Sequence, residues 1–318
     1  MAVALITGIN GQDGSYLAEL LLAKGYEVCG TVRDLESSDV SRIGHLLDNL
    51  TIIQWNLADE KSWAPLLEEL RPNEIYNLAA RASSATLFDD PVLTAKVNGL
   101  AVTRILEAIR LVDPGIRLCQ ASSREIFGGA ATAPQDENTP VRPRNPYGAA
   151  KQYADTLIRV YREQYRLFAC SAVLFNHESP RRSPEYVTRK VTSAAVKIKL
   201  GLADRLHLAN LSGQRDWGFA GDSVRALWRM LRQSEADDYV IATGEFHTVR
   251  ELCEIAFSSV GLDYRDFVVE YPDDNSAPEP VPIVGNSEKA RRVLEWAPTV
   301  SFAQLIEMMV EADLDALS

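Results

Sequence analysis

Positive charge is scarce in this chain of 318 residues: 33 lysines and arginines stand against 44 acidic residues, a formal net charge of −11. That balance excludes a generalised nucleic-acid surface, so the basic pairs Arg181-Arg182 and Arg189-Lys190 need local reasons. Cysteine is scarce as well. Its four copies (Cys29, Cys119, Cys170 and Cys253) lie far apart, mostly inside apolar runs. No Cys-x-x-Cys or Cys/His spacing occurs, which argues against structural zinc and for reduced thiols in a cytoplasmic protein. The four histidines also lack ligand spacing, so no metal is expected. No apolar run approaches the ~20 residues that a membrane helix needs, and the first residues lead into a strand without signal-peptide architecture. Repeats and low-complexity tracts are absent too.

What is present is an alternation of strand and helix. Val3–Ile6 is a short apolar run of the kind buried on both faces, and Leu17–Leu22 has helical periodicity ending at Lys24-Gly25. Strands follow at Glu27–Val32, Leu50–Gln54, Glu74–Ala79, Ile116–Ser122 and Phe168–Phe175. Helices are expected at Trp63–Leu70, Ala95–Leu111 and Tyr147–Tyr165. This order predicts an α/β fold, a Rossmann-like doubly wound parallel sheet with chemistry at the carboxyl ends of its strands. Beyond residue 170 the pattern turns irregular, with a helix at Val187–Leu200, a strand at Tyr239–Thr243 and a Pro-rich acidic loop at Asp273–Pro282. Residues 1–175 are therefore expected to bind a dinucleotide. Residues 176–318 are expected to form mainly a smaller, partly interleaved substrate domain.

Thr7-Gly-Ile-Asn-Gly-Gln-Asp-Gly14 sits at the first strand–helix junction. Gly8 suits the tight turn, Gly11 the approach of a pyrophosphate and Gly14 close helix packing. The second strand ends in Val32-Arg33 and lacks the acidic side chain that would bind an unmodified adenosine ribose. A guanidinium suits a 2′-phosphate, which favours NADP over NAD, although Asp34 is adjacent.

Downstream, Ser123, Glu125 and the Tyr147-x-x-x-Lys151 pair make a set able to move protons and assist hydride departure. A phenol ordinarily titrates near ~10, and a lysine one helical turn away would stabilise its phenolate. Ser123 can hydrogen-bond the reacting hydroxyl, and a carboxylate at Glu125 can take a proton from the neighbouring carbon and return it.

These motifs carry a resemblance. Ala-Leu-Ile-Thr-Gly-x-x-Gly-Gln-Asp-Gly-Ser-Tyr-Leu at 4–17, Glu-Ile-Tyr-Asn-Leu-Ala-Ala at 74–80, Leu-Phe-Asn-His-Glu-Ser-Pro-Arg-Arg at 174–182 and Arg-Asp-Trp-Gly at 215–218 extend it over nearly the whole chain. The chain resembles the extended short-chain dehydrogenase/reductases and, within them, the GDP-mannose 4,6-dehydratases. The resemblance implies Ser123, Glu125, Tyr147 and Lys151 as catalytic residues. It implies a nucleotide-sugar substrate, GDP-linked in preference, converted to a 4-keto-6-deoxy sugar by hydride transfer from carbon 4 to carbon 6. It also implies a homodimer or homotetramer. At the cofactor it places Asn10, Gln12, Asp13, Asn56, Leu57, Leu78, Ala79, Ala80, Arg81, His177 and Arg182 beside the glycines, Arg33, Tyr147 and Lys151. Asn176, Glu178, Arg189, Lys190 and Arg215 are implied as substrate contacts.

The chain also departs from that pattern. Arg124 stands where the family has a small residue; it either holds Glu125 ionised or points behind the strand. Phe127 replaces a tyrosine, Arg81-Ala82-Ser83 replaces Gln-Ser-His, Asn56 replaces an aspartate, and Ser276-Ala-Pro-Glu279 lacks the family's arginine. An NADPH-dependent 4-keto-6-deoxy nucleotide-sugar reductase, an epimerase and a non-catalytic cofactor sensor therefore stay open as alternatives.

Overall fold

The computed structural model describes residues 1–59, 63–82, 88–271 and 281–317. Seven parallel strands form the central sheet, in the order Tyr239–Ile241, Ala169–Leu174, Arg117–Ala121, Glu74–Asn77, Val3–Thr7, Glu27–Val32, Leu50–Gln54. Val3–Thr7 lies between Glu27–Val32 and Glu74–Asn77, with Thr7 opposite both Thr31 and Asn77. The strand order reverses there, which opens a crevice beyond the carboxyl ends of those strands.

Each face of the sheet has its own apolar layer. Leu17 and Leu21 of the helix Gln12–Ala23 pack with Val224 and Leu227 of the helix Ala220–Met230 on one side. Ile105 and Ile109 pack with Ala154 and Ile158 on the other. Alternating faces of nearly all-apolar strands require this double cover. The second half of the chain returns to the sheet through Tyr239–Ile241, while the helices Val187–Lys199, Val249–Ser259 and Phe302–Leu317 share a further core around Val191, Leu252 and Met309.

Two element boundaries differ from the sequence expectation for local reasons. The long helix begins at Pro91 rather than Ala95, because Asp90 caps it by accepting from Leu93 N at 2.9 Å and Pro91 needs no donor partner. It then passes through a π-helical turn at Lys96–Leu100 before continuing as Ala101–Val112. The fourth strand stops at Asn77, since the backbone N–H groups of Leu78 and Ala79 turn to the Thr7 hydroxyl, each at 3.0 Å. Most of the acidic Pro-rich loop, with Ser276 and Glu279, lies outside the described residues, as does Ser83.

Candidate active site

The first strand ends at Thr7, and the chain turns through Gly8 at φ +68° into a helix whose N-cap, Gly11, contributes no side chain. The first-turn N–H groups of that helix therefore have no capping side chain, the arrangement that receives a phosphate. A Cβ on Gly14 would lie 2.4 Å from the Gly8 carbonyl oxygen, so only glycine lets helix and turn approach this closely. Together these features fit the pyrophosphate of a dinucleotide.

A clasp from the second half of the chain closes over this turn. His177 Nε2 lies 2.8 Å from Asp13 Oδ2 and its Nδ1 lies 2.7 Å from the Phe175 carbonyl. Both ring nitrogens thus face acceptors, which calls for an imidazolium against a carboxylate. Burial alone would raise Asp13 and lower His177, but their mutual attraction and hydrogen bond reverse both directions. Gln12 adds to the clasp, donating to the His177 carbonyl at 3.1 Å and accepting from Ser179 Oγ at 2.8 Å. Arg182 stacks over Tyr186 with its guanidinium carbon 3.5 Å from the ring centroid. The Asn176 Oδ1 atom is buried with no hydrogen-bond partner, which leaves it available to a ligand.

At the fifth strand's end the backbone coils into a 3₁₀ turn, Arg124–Phe127, capped by Ser123 through a 3.2 Å bond from Glu125 N. The alternation of a strand no longer applies at Arg124. Its guanidinium reaches round to Glu125, with NH2 2.8 Å from Oε1, rather than pointing behind the strand. The other Glu125 oxygen accepts from Asn145 Nδ2 at 2.7 Å. Asn145 also caps the next helix, Pro146–Tyr165, by accepting from Gly148 N at 2.8 Å. That helix presents Tyr147, hydrogen-bonded to Ser123, and Lys151, whose Nζ donates to the Ala121 carbonyl at 2.7 Å.

The electrostatics differ from the sequence expectation. Burial pushes the Tyr147 phenol well above its ordinary value, the Ser123 hydrogen bond and Arg182 pulling the other way and Glu125 adding to the rise. Lys151 Nζ stands 5.6 Å from the centroid of the phenol ring. Burial pushes Lys151 itself down to about 8. A cationic ligand ring in the groove would add the positive potential that this phenol lacks.

The family model described as GDP-mannose 4,6 dehydratase matches residues 5–309. The chain belongs to this family. It is 45% identical to GDP-mannose 4,6 dehydratase 2 of Arabidopsis thaliana, over 98% of the chain and 87% of that protein. It is 41% identical to the GDP-mannose 4,6 dehydratase of Homo sapiens, over 99% of the chain and 92% of that protein. Among solved structures, the UDP-glucose 4-epimerase of Thermotoga maritima has a TM-score of 0.87 at 23% identity, covering 99% of this chain and all 100% of its own. That last likeness is one of fold.

As a member of the GDP-mannose 4,6-dehydratase family, the chain places its other expected site residues unevenly. Leu78, Ala79, Ala80 and Arg81 follow the fourth strand into the crevice, and Asn98 grips the Arg81 backbone with both a donor and an acceptor at 3.0 Å. Arg33 is exposed at the second strand's end. Asn10 donates outward to the Asp39 carbonyl at 2.9 Å, and Asn56 closes its own turn onto Ala58 N and Asp59. Leu57 is buried in the core. Glu178 is buried between Thr188 Oγ1 at 2.6 Å and Arg182 Nε at 3.1 Å, and Arg189 NH1 lies 2.6 Å from Asp313 Oδ2. These two side chains brace the second half of the chain. Arg215 lies in a short strand paired with His247–Thr248, and Lys190 is exposed.

Sequence reading passed over four polar residues: Asn77, Gln120 and Asp155, which are buried, and Asn145, which is half-buried. Thr7 Oγ1 donates to Asn77 Oδ1 at 2.7 Å, Asn77 Nδ2 to Gln120 Oε1 at 2.5 Å, and Gln120 Nε2 to the Ala121 carbonyl at 2.6 Å. The chain of donors runs from the glycine turn to the carbonyl that holds Lys151. Asn77 and Gln120 interrupt apolar strands, and that was the available signal. Asn145 announced itself by preceding Pro146 at a helix start. The fourth, Asp155, is taken up below.

Proposed function

We propose that this protein is a nucleotide-sugar 4,6-dehydratase, acting on GDP-mannose or a related GDP-hexose with NADP as its bound cofactor. The observation that carries the reading is the placement of the Glu125 carboxylate beside the Ser123–Tyr147 hydroxyl pair, close enough to act on the Tyr147 phenol. A dehydrogenase needs only the hydroxyls and the lysine; a carboxylate in the same site serves a carbon acid.

When bound at the glycine turn, the dinucleotide would supply a reversible hydride acceptor, used first at carbon 4 and then at carbon 6. Tyr147 takes the proton of the 4-hydroxyl while Ser123 holds its oxygen. The resulting 4-ketone acidifies the carbon-5 hydrogen, which Glu125 removes. Once protonated, Glu125 gives that proton to the 6-hydroxyl, which leaves as water. Tyr147 returns its proton to carbon 5, so the enzyme ends as it began. Lys151 contributes its positive charge to the phenolate and to the ribose of the cofactor.

NADP is favoured by the second strand's end. The Asp34 carboxylate is turned into its own loop by Glu36 N at 3.1 Å and Ser37 Oγ at 2.6 Å, while Arg33 is exposed. A cation rather than an acid is thus offered to the adenosine end. Residues 1–175 hold the dinucleotide in this reading, with Arg182 reaching it from the second half, and residues 176–318 mainly the sugar nucleotide, with Asn176, Lys190 and Arg215 as its polar contacts. The apolar exposure of Leu100, Tyr153 and Val160 on adjacent helices supports a homodimer or homotetramer. No helix among the described residues is long and apolar enough to cross a membrane, and a cytoplasmic setting is part of the proposal.

GDP-mannose carrying deuterium at carbon 4 tests it. Deuterium recovered at carbon 6, with loss of water and no net NADPH change, is the expected outcome. A second reading, a 4-keto sugar reductase, is favoured by the Arg124–Glu125 ion pair, which occupies one oxygen of the carboxylate. NADPH consumed with a 4-keto-6-deoxy sugar, and no product from GDP-hexoses, would establish that reading instead.

A further inference from the structure

A buried carboxylate on the helix Pro146–Tyr165 has no part in the reaction above. Asp155 lies one helical turn beyond Lys151, so both project from one side of the Pro146–Tyr165 helix. Both are buried, with 5% and 2% of their surfaces exposed. Each Asp155 oxygen is taken by a serine hydroxyl: Ser122 Oγ donates to one at 2.5 Å, and Ser171 Oγ to the other. Ser122 directly follows Ala121, whose carbonyl holds the Lys151 ammonium. Two hydroxyl donors fix this carboxylate as an acceptor and hold its charge in one place.

A buried ammonium with only a carbonyl for company tends to lose its proton. We propose that Asp155 is a positioning residue for Lys151, a fixed anion that keeps the ammonium charged at the Ala121 carbonyl. The proposal rests on the reading of Lys151 as part of the hydride-transfer set. The surrounding charges fit the role. A cavity of about 270 Å³ opens beside Asp155, lined among others by Glu137, Arg159, Arg162, Asp238 and Lys289. Arg162 pairs with Asp238 at 2.5 Å, Lys289 with Asp237 at 2.6 Å, and Glu137 accepts from Val240 N at 2.7 Å. Glu163 also lines that cavity. Burial drives Lys151 down to about 8 with Asp155 opposing the drop. Burial likewise drives Asp155 up to about 6, the two serines and Lys151 opposing the rise and Asp238 adding to it.

Eight lysines in the chain are few enough to follow Lys151 by NMR of lysine-labelled apoprotein, its signal assigned by loss in Lys151→Arg. Asp155→Asn is expected to lower the Lys151 titration midpoint by about one pH unit or more. The alkaline limb of kcat for GDP-mannose dehydration should move down with it, and Asp155→Glu should restore most of the shift. In the unaltered protein the Lys151 signal should show a second inflection near pH 6 as Asp155 ionises. A midpoint unmoved in folded Asp155→Asn, or no second inflection, overturns the proposal. The NMR shifts need no turnover. A protein that shows them yet dehydrates no GDP-hexose supports the Lys151–Asp155 linkage while refuting the function proposed above.

Discussion

Replacing the buried pair with neutral near-isosteres, Lys151→Met with Asp155→Asn, should abolish activity and stabilise the apoprotein. The magnitude follows from the titration behaviour. A lysine that titrates at about 8 instead of 10.5 is destabilised as an ammonium by about 3 kcal/mol. A carboxyl that titrates at about 6 instead of 3.8 is destabilised as a carboxylate by about 3 kcal/mol. Against this, the substituted methionine would lose the hydrogen bond to the Ala121 carbonyl, about 1 kcal/mol. That carbonyl still accepts from Gln120 at 2.6 Å, so it is not orphaned. With further allowance for imperfect repacking, a net gain on the order of 3 kcal/mol remains at neutral pH, a rise of about 5 °C in the thermal midpoint.

The pH dependence makes this reasoning refutable. A depressed lysine contributes stability above its unfolded value of 10.5 that is lost as pH falls through about 8. A raised aspartate contributes stability below 3.8 that is lost as pH rises through about 6. Both penalties are in full force only between about pH 6 and 8. The gain of the double variant over the natural sequence should therefore be largest near neutrality and shrink toward pH 5 and pH 9.5. Differential scanning calorimetry of the nucleotide-free proteins across that range is the assay. A double variant less stable than its parent at pH 7, or a gain independent of pH, would refute the argument.

Glu125→Gln keeps the volume of the side chain and should lower dehydration by roughly 10²-fold or more, with dinucleotide binding unchanged; full activity would remove Glu125 as the carbon-5 base. Arg124→Ser breaks the 2.8 Å ion pair while Asn145 keeps its bond to the other oxygen, so kcat should rise severalfold with little change in KM. A fall in kcat would show that the guanidinium orients the carboxylate instead. Gly14→Ala forces a Cβ to within 2.4 Å of a backbone oxygen, and calorimetric titration should find NADP affinity reduced by at least about tenfold. His177→Gln removes the partner of Asp13. Because His177 is raised above 6.5, the stability it contributes is present below that pH and lost as pH rises through its folded value. The unaltered protein and the variant should thus differ most in mildly acidic solution, and converging melting curves at alkaline pH are the sign to look for.

The sheet was legible in the sequence because strands buried on both faces leave unbroken apolar runs, and because Gly8, Gly11 and Gly14 fall at one strand–helix junction. The catalytic helix was legible for a similar reason: Tyr147 and Lys151 share a face by spacing alone. What spacing does not encode is which polar side chain answers which. Glu178 and Arg189 carry the charges expected of substrate contacts, yet each finds a partner inside the protein, Arg182 with Thr188 for the first and Asp313 for the second. Arg182 is only four residues from Glu178, but Thr188 and Asp313 lie on helices that spacing does not link to their partners. The lowering of the Tyr147 phenol by Lys151 likewise follows from proximity only if burial is ignored. In the folded chain burial is the larger effect.

That imbalance has a physical consequence for how the site operates. Tyr147, Lys151 and Asp155 are all held where burial disfavours their charged forms. The polar lattice of Thr7, Asn77 and Gln120 reaches the lysine through the Ala121 carbonyl, and Ser123 hydrogen-bonds the phenol, but burial remains the larger effect at both. A site built in this way is poor at ionising the phenol until a cation enters the groove. In the proposed mechanism, proton removal by Tyr147 is then coupled to occupancy of the cofactor pocket. The same burial that weakens the empty site strengthens every electrostatic contact once the groove is filled and water is excluded.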